Sequence, residues 1–175
     1  MKRFILWLPL AIFVIFAVTV AISLRTPADT RIHSRMIGKT LPDFALQPAT
    51  SSHPGLSSAD LKSGEPRLLN VFASWCLPCA VESPQLIALK QRGIPIDAIA
   101  IRDRPEDVAA FLAKYGDPFA RIGSDPETEV QFALGSSGVP ETFVVDGQGV
   151  IRYQHIGDIR PENLPELVAA YEDAR

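Results

Sequence analysis

The sequence predicts a three-layer α/β domain with a mixed central sheet, preceded by one N-terminal transmembrane helix. Three observations carry that expectation. Apolar strand-like runs alternate with helix-period patterns between residues 68 and 115, the order that sandwiches a largely parallel sheet between helices. A hairpin signal at Asp146-Gly147-Gln148-Gly149 adds an antiparallel pair, which makes the sheet mixed. Ahead of these, residues 4–24 form an uncharged apolar run of 21 positions, long enough at the helical rise to cross a bilayer's hydrocarbon core.

The leader is read as a short basic segment at residues 1–3, an anchor at 4–24 and a tether at 25–35. A secretory signal peptide is the competing reading, but its apolar region usually runs to about 7–15 residues. Ala21-Ile22-Ser23, the small-x-small pair near the end of the run, makes a poor cleavage site, so an uncleaved anchor is expected. Lys2 and Arg3 precede the run while Arg25, Arg31 and Arg35 follow it, and a positive-inside count does not decide the orientation. Residues 36–175 suit one domain with a single core.

Charge separates the two parts. The first 35 residues hold five Lys and Arg against one acid, so of the chain's 17 bases and 20 acids the domain keeps 12 and 19, a net charge of −7. Nucleic-acid binding, which needs clustered Lys and Arg, has no support; a basic polypeptide partner would be favoured at encounter.

Within the domain, an extended segment at 41–46 and a Pro/Ser/Gly-rich loop at 47–58 lead to a buried strand at 68–73. A helix is expected from Leu77 to about Lys90, then a strand at 94–101. Val108, Phe111, Leu112 and Tyr115 recur at helical spacing, with Asp103 and Glu106 as an N-terminal capping pair and Gly116 as the stop. Residues 127–134 read as a short helix ended by Gly135-Ser136-Ser137-Gly138. Strands at 142–145 and 150–153 flank the hairpin turn, and Leu164, Leu167, Val168 and Tyr171 form the apolar face of a last helix.

Cys76-Leu77-Pro78-Cys79 contains both of the chain's cysteines and falls at a strand-to-helix junction. Unpaired N–H groups and the positive end of the helix dipole stabilise a thiolate there and lower the first cysteine's pKa. Structural zinc needs four Cys or His ligands, whereas His33, His53 and His155 are scattered singly, so no metal is expected. Haem attachment needs His after the second Cys, and position 80 is Ala. A purely structural staple would close too small a loop to contribute much stability. A redox dithiol that needs no cofactor is the favoured reading.

The run Asn70-Val71-Phe72-Ala73-Ser74-Trp75-Cys76-Leu77-Pro78-Cys79, then Glu82 and Pro84, then Gly138-Val139-Pro140-Glu141-Thr142-Phe143 before Asp146-Gly147-Gln148-Gly149, resembles a membrane-anchored, thioredoxin-like family. The resemblance is closest to the cytochrome c biogenesis thiol:disulfide reductases called DsbE or CcmG, relatives of the TlpA and ResA types, and covers residues 36–175 plus the anchor. It implies that Cys76 is the exposed attacking cysteine and Cys79 the buried resolving one, a division that the helix position of each supports. It implies an apolar substrate-binding surface at Trp75 and Val139 and a cis-proline at Pro140, where the residues themselves allow either isomer. Pro84 matches a helix-kinking proline.

Asn70 stands where cytoplasmic thioredoxins carry a buried acid, so the Cys79 proton would be handled differently here. The resemblance puts Glu82 and Glu141 near the dithiol, where a carboxylate disfavours a thiolate; the plain alternatives are a solvated helix residue and a strand-edge charge. The expected function is reduction of protein disulfides in cytochrome c maturation, on the apocytochrome Cys-x-x-Cys-His or its thiol chaperone. Electrons would come from a membrane thiol donor of the DsbD or CcdA type, with the domain on the periplasmic side of the bacterial inner membrane. A general extracytoplasmic reductase and a dithiol copper chaperone are the alternatives; a thiol peroxidase is weaker, because its lone cysteine follows Thr or Ser.

Overall fold

A computed structural model describes residues 7, 9, 11–19 and 36–175. It divides into two units, Met1–His33 and Ser34–Arg175. In the first, residues 11–19 are helical, their large apolar side chains are exposed, and the Thr19 hydroxyl donates to the Ile15 carbonyl at 2.7 Å. Among the described residues no helix is long and apolar enough to cross a membrane. The anchor expected at 4–24 extends at both ends beyond the described residues, and the tether at 25–35 lies outside them.

The second unit runs β1 (Ala45–Leu46), β2 (Leu56–Ser57), α1 (Ser58–Leu61), β3 (Arg67–Phe72), α2 (Leu77–Gln91), β4 (Ile96–Ile101), α3 (Pro105–Tyr115), β5 (Ile122–Asp125), α4 (Glu129–Ala133), β6 (Glu141–Val145), β7 (Ile151–Ile156), a 3₁₀ turn at Pro161–Asn163 and α5 (Leu164–Asp173). The main sheet is ordered β5-β4-β3-β6-β7. Strands β3, β4 and β5 are parallel, and β6 and β7 join antiparallel. This is the mixed α/β sheet that the alternation implied.

Burial explains the sequence of each strand. β3 and β4 are covered on both faces and read as mostly apolar runs, whereas the outer strand β7 carries Arg152 and Gln154 and is only partly buried. Asp97 is the exception inside β4: it is 0% exposed and takes a two-point contact from Arg67, Nε at 2.5 Å and Nη2 at 3.2 Å. Phe72 fills the space under α3, stacking on Phe119 at 5.1 Å and meeting Phe111 at 5.6 Å. Leu167 and Tyr171 bury the inner face of α5.

Four elements differ from the sequence expectation. β5 was not anticipated, nor was the small β1–β2 sheet, nor α1, which Ser57 and Asp60 close with a reciprocal capping box. The fourth is the start of α3: Arg104 is its N-cap and makes no side-chain cap bond, so Asp103 and Glu106 do not cap it. Pro105 already fixes φ at the first helical position, and the Asp103 side chain goes elsewhere. Gly116 does end α3, with φ +97°. In the hairpin, a Cβ on Gly147 would strike the Gly64 backbone, so that turn admits only glycine.

Residues 38–49 run along both outer strands. Gly38 N and Leu41 N donate to Ile151 O and Gly149 O at 2.7 and 2.8 Å, and Ile151 N returns a bond to Lys39 O at 3.0 Å. Further on, Ala49 N donates to Ile122 O at 2.9 Å and Ser124 N to Gln47 O at 2.8 Å.

Candidate functional site: the dithiol at the start of α2

β3 ends at Phe72, and four residues later Cys76 is the N-cap of α2. Its sulfur accepts the Cys79 N–H at 3.2 Å, so a thiolate formed there would face an orphan donor at the positive helix end. The two sulfurs are joined in a disulfide with Cα atoms 5.3 Å apart. In this oxidised state Cys76 is 5% exposed and Cys79 2%, less difference than an exposed attacker and a buried partner imply. The rim is open instead: Trp75 is 59% exposed, and Leu77 and Val81 are exposed as well.

The register Val71↔Glu141 between β3 and β6 brings Pro140 level with Phe72, at the end of the sheet that leads into the dithiol. The Val139–Pro140 bond is cis. The loop before it is tied down from both sides. Gln131 Nε2 and Ser136 Oγ donate to Gly138 O at 3.1 and 3.0 Å, while Ser137 donates through N and Oγ to Glu141 Oε1 at 2.9 and 2.7 Å. The other oxygen of Glu141 accepts Gln154 Nε2 at 2.9 Å. Glu141 is thus a buried loop anchor by its hydrogen bonds, not an edge charge.

Glu82, one turn beyond Cys79 on the same inward face of α2, is 0% exposed. The solvated alternative is therefore wrong for this residue. Burial pushes its carboxyl up to about 7, against hydrogen bonds from Ile159 N at 3.0 Å and Asn70 Nδ2 at 2.9 Å, and the charge of Asp158 adds to the upward push. Asn70 also donates to Thr142 Oγ1 at 2.9 Å across the β3–β6 pair, while its own Oδ1 has no partner among the described residues. Pro84 lies within α2, where it lacks the N–H that Ala80 O would accept.

The raised Glu82 value has a testable sign. Folded protein holds this proton between its unfolded pKa of 4.5 and about 7, so stability falls as pH rises through that window, by about 3 kcal/mol at most. Glu82→Gln abolishes the titration. Urea unfolding at about pH 5 and about pH 8 should show the variant gaining on the parent by that order as pH rises. A constant difference between the two would mean that the buried carboxyl is already ionised at the lower pH.

Three contacts of the site escaped the sequence: Ser74 with Asp103, Trp75 Nε1 with Arg102 O at 3.4 Å, and Glu82 with Ile159 N. Each joins residues 27 or more positions apart, and no local pattern signals such a pairing. His53 pairs with Asp117 at 3.0 Å and His155 faces Asp158 O at 3.2 Å, while His33 lies outside the described residues.

Residues 36–171 match the family model described as Redoxin. The chain is 36% identical over 177 residues to the thiol:disulfide interchange protein HelX of Rhodobacter capsulatus, covering 99% of this chain and 100% of that one. It is 35% identical over 172 residues to the thiol:disulfide interchange protein DsbE of Escherichia coli, with 96% and 93% covered. A crystal structure of a Chlorobium tepidum chain assigned as a thiol:disulfide interchange protein DsbE superposes with TM-score 0.66 at 30% identity, over 79% of this chain and 96% of that one.

Proposed function

Because the chain belongs to the Redoxin family, among its DsbE and HelX thiol:disulfide interchange proteins, and is a thiol:disulfide oxidoreductase, we propose that it works as a reductant of protein disulfides in cytochrome c maturation. The single observation that carries the chemistry is the Cys76–Cys79 disulfide capping α2, with the first sulfur on a helix N–H. The Cys76 thiolate attacks a substrate disulfide; one substrate sulfur leaves as a thiolate and takes up a proton, and a mixed disulfide forms. Cys79 then attacks Cys76, frees the second substrate thiol and closes the intramolecular disulfide. Two electrons have passed to the substrate.

Glu82 is the group that serves the Cys79 proton in this reading. A carboxyl near pKa 7 can take a proton at neutral pH, and it sits one helical turn from Cys79, bonded to the Asn70 amide. Trp75, Val139 and Pro140 form the surface that receives the substrate chain, and Glu141 holds the Pro140 loop in place. The resemblance to cytochrome c biogenesis reductases supports an apocytochrome Cys-x-x-Cys-His, or a thiol chaperone carrying it, as substrate. When ionised, Glu82, one helical turn from Cys79, makes that thiolate costlier, which favours electron donation.

We place the domain in the periplasm, held to the inner membrane through residues 4–24 and recharged by a membrane thiol donor of the DsbD or CcdA type. The uncharged run of 21 residues supports the anchor, and the need for electrons outside the cytoplasm supports the donor. The test is acid trapping of thiols in living cells followed by alkylation. Cys76 and Cys79 should be mostly reduced at steady state when the membrane donor is present, and disulfide-bonded when it is deleted. A pair that stays oxidised with the donor present would make the protein an oxidase or isomerase instead.

A further inference from the structure

The carboxylate of Asp103 crosses from the end of β4 to the backbone just ahead of the dithiol. Oδ2 accepts the Ser74 N–H at 2.6 Å and Oδ1 accepts the Ser74 hydroxyl at 2.5 Å, so both oxygens are spent on one residue. Its neighbour Arg102 has φ +49°, a left-handed conformation that costs free energy in a non-glycine residue. That conformation accompanies a carbonyl that accepts Trp75 Nε1 at 3.4 Å, while Arg102 N donates to Asp125 O at 3.4 Å. The β4–α3 loop therefore holds Ser74 and Trp75, the last two of the three residues between the end of the core strand and Cys76. Cys76 N in turn donates to Ala73 O at 3.2 Å, and Cys76 adopts the extended φ −87° and ψ 108° that let its sulfur cap the helix.

We propose that Asp103 is a positioning residue for disulfide exchange: through Ser74 it fixes the approach to α2, so that the Cys76 sulfur stays on the Cys79 N–H when the disulfide opens. The inference rests on the thiol interchange activity and is independent of the cytochrome substrate. Other charges line the open groove beside Trp75, but Arg104 pairs with Asp107 at 2.8 Å and Lys114 lies over the Tyr115 ring at 4.9 Å. Asp103 is the acid there that grips the segment leading into the cysteines.

Two roles for Asp103 predict opposite signs. As a bare negative charge near the site it would disfavour the thiolate, and Asp103→Asn would lower the Cys76 pKa. As a clamp it favours the thiolate, because a loosened Ser74–Trp75 segment lets the sulfur leave the helix end, and Asp103→Asn raises that pKa. Ser74→Ala removes one bond of the clamp without changing any charge, and it is mild enough to keep the fold.

The experiment follows the ultraviolet thiolate absorbance of the reduced full-length chain against pH, together with its exchange rate on a small aromatic disulfide. Asp103→Asn and Ser74→Ala should both raise the Cys76 midpoint, and exchange near neutral pH should slow by up to about tenfold, the equivalent of one pKa unit. The rates should converge with the parent's at alkaline pH, and the double variant should add little to the single ones. A lowered midpoint in Asp103→Asn with an unchanged one in Ser74→Ala would overturn the proposal in favour of a simple charge effect. Unchanged midpoints with a lower melting temperature would overturn it in favour of plain stability. A parent chain that exchanges no disulfide at any pH would overturn the interchange activity itself, and the proposal with it.

Discussion

Cys79→Ala will leave the protein covalently attached to whatever disulfide it attacks, and Cys76→Ser will abolish exchange by at least about a thousandfold, the scale of deleting a nucleophile. The contrast follows from the placement of the two sulfurs. Cys76 caps α2 and meets its N–H, so it is the sulfur with a stabilised anion, whereas Cys79 lies three residues further along, on the buried face of the helix. Without Cys79 the mixed disulfide on Cys76 has no intramolecular thiol to resolve it, and it waits for an external one. Non-reducing gels of acid-trapped cells read the outcome directly. Adducts that form with Cys76→Ser but not with Cys79→Ala would reverse the two roles.

The largest loss of stability is expected at the opposite end of the sheet. Arg67→Ala strips the guanidinium from Asp97, which is 0% exposed and draws both of its side-chain bonds from Arg67. A buried carboxylate left alone typically costs about 3–5 kcal/mol, whereas replacing the whole pair with apolar residues is often neutral or better. Arg67→Met combined with Asp97→Leu should therefore recover most of what Arg67→Ala loses in urea unfolding. The reduction potential should hardly move in either variant, because Arg67 opens β3 and the dithiol follows its far end. A single variant as stable as the parent would show that Asp97 finds water or another donor.

What could be read from the sequence was what local periodicity encodes. The runs at β3 and β4, the helix pattern of α3 and α5, and the Asp-Gly-Gln-Gly turn all sit in continuous stretches, and all recur in the fold within a few residues. β5 was invisible because Ile-Gly-Ser-Asp offers a single large apolar side chain; its strand character comes from pairing with β4. Asp103 departs from its expected capping role for a different reason. Position and residue type made it a plausible cap for α3, but Ser74, 29 residues earlier, folds within reach and binds both oxygens. The cysteine pair was plain from spacing alone, whereas the burial of Glu82 depended on α2 packing over β3 beside Ile159.

Both outer strands of the sheet are hemmed by one stretch of chain. Residues 47–49 lie along β5 and residues 38–41 along the start of β7, each with main-chain hydrogen bonds that an incoming strand would otherwise form. Polypeptides that bind by adding a strand to a sheet margin, and copies of the chain stacking margin to margin, therefore find part of each margin already paired. The remaining length of β7 is studded with Arg152 and Gln154, which discourages flat self-association further. On the proposed function, a reductase whose substrates are extended, cysteine-bearing chains would be at constant risk of co-aggregating with them. This selvedge narrows the sheet margin open to such chains and favours the dithiol rim as the place of contact, where attachment ends in release.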